Sequence, residues 1–165
     1  MKIANMRRVK IKNFKDIYLD LGCGDKKHRR PIKGKNNVGL DIIDYGQEIV
    51  WDIKDGIPLP DNSCEYIIAS HFMEHFRKED FIKIMNECWR ILKPDGELYI
   101  IVPHRDRGAS AWPVHLLEPS EDTFKFFDQT DETAREHRIK GWKIIEIITN
   151  EKKDIHVKMQ PKKEI

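Results

Sequence analysis

Two short stretches of this chain have the residues a nucleotide-like ligand needs. Leu19-Asp20-Leu21-Gly22-Cys23-Gly24 is an apolar run broken by two glycines, and Val38-Gly39-Leu40-Asp41 is a second run that ends in a carboxylate. Glycines let a ligand lie against bare backbone, and an acid closing the next strand can accept both hydroxyls of a ribose. The pair therefore points to an adenosine-containing cofactor on a parallel sheet. A third stretch, Ser70-His71-Phe72-Met73-Glu74-His75, adds titratable groups, and His104 and His115 follow further on.

Imidazole titrates near neutral pH, so His71, His104 or His115 can take a proton from an acceptor hydroxyl. Arg105 and Arg107 beside them can bind a substrate carboxylate or phosphate. Trp112 and Phe124 can stack on a substrate ring, or else serve with Phe126 and Phe127 to seal the sheet; the sequence leaves both readings open. His71 and His75 stand four apart, a spacing that places two ligands on one helical face. The pattern is not His-Glu-x-x-His, and two histidines alone do not define a zinc site, so no metal is expected.

Elements must position these residues. The pattern predicts strands at 17–21, 38–41, 49–53, 66–70 and 98–102. Phe81, Ile84, Met85, Cys88, Trp89 and Leu92 recur at helical spacing and predict a helix over about 78–92 with one apolar face. Lys93-Pro94-Asp95-Gly96 stops it. Residues 142–149 and 155–159, joined by a short linker, predict an antiparallel hairpin. The fold class is α/β, a mostly parallel Rossmann-like sheet with a C-terminal antiparallel hairpin and helices on both faces.

The 165 residues suit a single domain, 1–165, with a short N-terminal extension at 1–16 and a substrate-side loop region at 103–135. Charged residues make up 35% and hydrophobic residues 39%, and no apolar run is long enough to span a bilayer. The charged N-terminus lacks an apolar signal core, and Cys23, Cys64 and Cys88 have no paired spacing. A cytoplasmic protein with reduced cysteines is expected. Residues 1–35 hold 12 Lys/Arg against 3 Asp/Glu, whereas 36–165 hold 18 against 25. The basic cluster Lys26, Lys27, Arg29, Arg30, Lys33 and Lys35 follows the glycine turn directly; it is either a solvated loop or a surface that steers an acidic or nucleic-acid partner.

With these motifs in order, the chain resembles the small class I S-adenosylmethionine-dependent methyltransferases. The resemblance rests on Leu19–Gly24, Val38–Asp41, Leu59–His75 and Leu92–Leu98, and it spans residues 17–102. It implies S-adenosyl-L-methionine as cofactor. It further implies that Asp20, Gly22, Cys23 and Gly24 hold the methionine half, that Asp41 holds the ribose, that Asp52 and Ile53 flank the adenine, and that Ser70 and His71 border the methyl group. The usual third glycine of the turn is replaced by Lys26, and the first helix is short or lost. A nicotinamide dehydrogenase shares the glycines and the acid, but the 61–75 segment is foreign to it. A non-catalytic subunit or a nucleic-acid methyltransferase stays open. The favoured acceptor is a small or glycan-like hydroxyl compound, and nothing in the sequence sets an oligomeric state.

Overall fold

The structure is a computed structural model that describes residues 7–107, 112–128, 134 and 136–163. Its strands are β1 (Arg8–Val9), β2 (Ile17–Leu21), β3 (Asn36–Asp41), β4 (Ile49–Val50), β5 (Cys64–Ser70), β6 (Leu92–Pro103), β7 (Trp142–Thr149) and β8 (Asp154–Pro161), with helices α1 (Lys78–Ile91) and α2 (Glu121–Lys125). They form one sheet in the order β1-β4-β3-β2-β5-β6-β8-β7. The strands from β4 through β6 pair in parallel, whereas β1, β8 and β7 join antiparallel. β2 sits centrally, and Ile17, Leu19 and Leu21 are wholly buried there, as a strand covered by core requires.

The expected helix is α1. Phe81, Ile84, Met85, Cys88 and Leu92 are buried as the spacing predicts, and Ile91 joins them. Trp89 is half-buried and donates its indole N–H to the Gly141 carbonyl at 3.0 Å. Helices are present as expected; α1 and α2 meet on one face, where Phe81 packs edge-on against Phe124 and Phe127 at 6.2 and 5.7 Å. The other face carries the stacked Tyr18–Tyr66 pair, with Lys35 over the Tyr18 ring. No long first helix follows β2, in line with the Lys/Arg/Gly/Pro content of that stretch.

Most strands run a few residues longer than the sequence reading expects, and three differences go further. The strand expected at 49–53 stops at Val50, because Asp52 caps a single 3-10 turn, Ile53–Asp55, by accepting from the Lys54 N–H. The turn at 93–96 is absorbed into β6 as a bulge: Cys64 pairs with Leu92 but Tyr66 with Glu97. The N-terminal extension contributes β1, tied down by Arg8 to Asp44 at 2.8 Å and to the Gln47 carbonyl at 3.1 Å. No described helix is long and apolar enough to cross a membrane.

Candidate cofactor and acceptor site

The parallel strands deliver Gly22–Gly24, Asp41 and Ser70–His71 to one end of the sheet, their carboxyl ends, where ligands bind in this architecture. Gly22 and Gly24 have φ of 62° and 59°, in the left-handed region that favours glycine. Asp41 Oδ2 accepts from the Gly24 N–H at 3.0 Å, and Oδ1 accepts from the Ile43 N–H at 3.0 Å. The acid at the end of β3 therefore stands at the lip of the glycine turn, two features the sequence keeps apart. Gln47, 2% exposed, braces this loop. It donates to the carbonyls of Asp41, Ile43 and Ile49, and accepts from the Tyr45 N–H.

These residues fit the implied cofactor. A carboxylate has lone pairs beyond the two it uses here, enough to meet two ribose hydroxyls. A Cβ on Gly24 would find ordinary room beside His28 at 3.6 Å. A Cβ on Gly22 would fall 2.2 Å from Phe72 Cδ2, so a ring from the end of β5 also requires glycine there. Cys23 is wholly buried, and burial pushes its thiol up to about 12, so it acts as packing and not as a nucleophile.

Other predicted residues are placed differently from one another. Asp20 is buried, and burial raises its carboxyl above the usual range. It accepts from the Arg30 backbone at 3.2 Å and faces the Arg30 guanidinium at 3.4 Å. With Arg29, Arg30, Glu48 and Tyr66 it lines a cavity of about 250 Å³. Asp52 spends one oxygen on its cap, and Ile53 is buried in the core. Trp51, which the sequence reading passed over, donates its backbone N–H to the Asp41 carbonyl at 3.0 Å, and its indole nitrogen is buried without a partner.

A second cavity, about 260 Å³, is lined by His71, Glu74, His75, Pro103, Arg107, Trp112 and His115. His71 follows Ser70 at the end of β5 with φ of 49°, uncommon for a residue with a side chain. Its Nδ1 lies 3.5 Å from Glu74 Oε1, and this carboxylate raises the imidazole above its ordinary value. Arg107 pairs with Asp154. Trp112 is 64% exposed and stacks on His115 at 5.8 Å, whereas Phe124 and Phe127 are buried and seal the core. His104 is not at this cavity: its Nδ1 accepts from the Asp106 N–H at 3.0 Å and its Nε2 faces Glu121 at 3.3 Å. Residues 108–111, 129–133 and 135 of the expected substrate-side region lie outside the described residues.

Residues 19–100 match the family described as Methyltransferase domain. An uncharacterized protein of Methanocaldococcus jannaschii is 27% identical over 82% of this chain and 59% of its own length. The 25S rRNA (adenine(645)-N(1))-methyltransferase of Saccharomyces cerevisiae is 31% identical over 54% of this chain and 26% of its own length. The chain thus spans less than two thirds of these curated relatives. Among solved structures, the Burkholderia thailandensis 1,6-didemethyltoxoflavin-N1-methyltransferase superposes with a TM-score of 0.63 at 11% identity, covering 90% of this chain and 72% of that one. Signature order, strand order and family match agree: residues 19–100 belong to the methyltransferase-domain family, on a sheet with the strand order described above.

Proposed function

We propose that this chain transfers a methyl group from S-adenosyl-L-methionine to a hydroxyl of a small or glycan-like acceptor. The observation that carries the reading is the meeting of the Gly22–Gly24 turn with Asp41 at one lip, and a separate histidine-lined cavity at the end of β5. The cofactor supplies an already activated methyl on a positive sulfur. The protein must align the acceptor and keep out water. Gly22 and Gly24 offer backbone to the methionine half, and Asp41 accepts from the ribose. His71 takes the acceptor proton, and Glu74 behind it stabilises the imidazolium that results. Arg107, steadied by Asp154, offers a cation to an acidic acceptor group. His115 completes the wall, while His104, held by Asp106 and Glu121, is assigned no part in the chemistry.

The three cysteines are free and buried, which suits a reducing, cytoplasmic setting. We read 1–165 as one methyltransferase domain. A second reading, methyl transfer to RNA, is favoured by the rRNA-modifying relative and by the basic stretch after the glycine turn. The two separate in one experiment. S-adenosylhomocysteine should bind by calorimetry, and radiolabelled methyl from the cofactor should reach small hydroxyl compounds but not total RNA. Label in RNA, with binding that falls steeply as salt rises, supports the second reading. A folded sample that binds no S-adenosylhomocysteine at millimolar concentration removes both.

A further inference from the structure

We propose that Glu74, His75 and His115 form a binding site for a divalent metal ion, and that zinc is the ion their chemistry suits best. One ligand atom from each lies within 4.8 Å of the others. Glu74 is 1% exposed, and its Oε2 is buried with no hydrogen-bond partner. Burying a carboxylate oxygen in this way is costly unless something pairs with it. The His115 Nδ1 is likewise buried and unpartnered. Two of the three residues in this cluster thus carry a buried lone-pair donor with no hydrogen-bond partner.

The surroundings are built for ligation. His75 Nδ1 donates to the Val114 carbonyl at 3.1 Å, which leaves its Nε2 lone pair free. An outer hydrogen bond of this kind fixes the tautomer and direction of metal-bound histidines. Glu74 Oε1 serves His71 at 3.5 Å, so the two carboxylate oxygens have separate tasks. The loop bearing His115 is clamped to the turn bearing Glu74: the Leu116 and Leu117 N–H groups both donate to the Glu74 carbonyl, at 2.8 and 3.1 Å. Trp112 stacks on His115 from the cavity side.

Two imidazoles and one carboxylate suit zinc, and three protein ligands leave a position open. Zinc bonds of about 2.0–2.2 Å require these atoms, now within 4.8 Å of one another, to draw in around the ion. The open position belongs to the cavity shared with His71 and Arg107. There the ion would hold the acceptor oxygen and ease its deprotonation, a role that rests on the acceptor reading above; binding of the metal does not. The pair His71/His75, which the sequence spacing suggests, is not the ligand set. His115 comes from the loop after β6, a separation no local motif reveals.

The test uses the full chain, stripped with a chelator and titrated with zinc sulfate by calorimetry and against a chromophoric chelator. One zinc per chain at micromolar affinity or tighter is expected. His115→Ala and Glu74→Gln should each weaken it roughly tenfold or more, and His28→Ala, an exposed histidine elsewhere, should not. Thermal melts establish that each variant folds; if Glu74→Gln does not, His115→Ala decides. No stoichiometric zinc, or full affinity in folded His115→Ala, overturns the proposal. S-adenosylhomocysteine titrations on the same stripped sample keep the readings apart. Cofactor binding without zinc binding removes only the metal site, and zinc binding without cofactor binding removes only the methyl-transfer reading.

Discussion

Asp41 has two tasks in the proposed function: one oxygen holds Gly24 in its left-handed turn, and the carboxylate accepts from the cofactor ribose. Asp41→Ala should therefore weaken S-adenosylhomocysteine binding by about 1–3 kcal/mol, from loss of a charged acceptor and of the turn it steadies. Calorimetry on the folded variant measures this. The glycines and Asp41 were legible because their chemistry is bound to local pattern: an apolar run, a break, an acid. Phe72 was not, since nothing in the sequence says that a ring from the end of β5 comes to lie against Gly22. His104 and His115 look alike in sequence, and only tertiary neighbours separate them. One is held by Asp106 and Glu121, and the other enters a cavity.

At the scale of elements, α1 is the clearest success of periodicity. Its apolar stripe faces the sheet and Met85 is wholly buried. Met85→Asp should cost several kcal/mol by placing a charge in that stripe. A thermal melt within a degree or two of the parent would mean the stripe is not what holds the helix. β1 was hidden because a two-residue strand has no period to read. Arg8 secures it to Asp44, and that guanidinium holds the Asp44 carboxyl down at about 2 against an ordinary 3.8. The stability linked to this carboxylate is present above pH 3.8 and lost as pH falls through about 2. Asp44→Asn should then melt below the parent at pH 5, and the gap should narrow steadily between pH 4 and pH 2. A gap that is the same at pH 5 and at pH 2 would show that the pair does not act through charge. Strand β4 ended early for a different reason: Asp52 caps a turn there, and an aspartate cap is indistinguishable in sequence from an aspartate on a strand.

At the scale of the molecule, the alternation of strands and helices made the mostly parallel sheet and its helix cover legible. Turn-rich residues 24–35 lie where a longer helix was absent from the pattern, and Arg29 and Arg30 of that stretch line a cavity with Tyr18 and Tyr66. The position of β8 has a further consequence, for the time course of folding. β8 is the last strand in sequence, yet it lies inside the sheet, with β6 on one side and β7 on the other. Leu98 must find Met159 and Pro103 must find Asp154 before the free edge of β6 closes. Such distant pairings are slow to form, and until they form an apolar strand edge stays open to other chains. Refolding yield from denaturant should accordingly fall as protein concentration rises. Weakening β8 in its interior, as with Val157→Asp, should depress the yield further at any given concentration. A yield independent of concentration in the parent would mean that β8 docks before the edge of β6 is ever exposed.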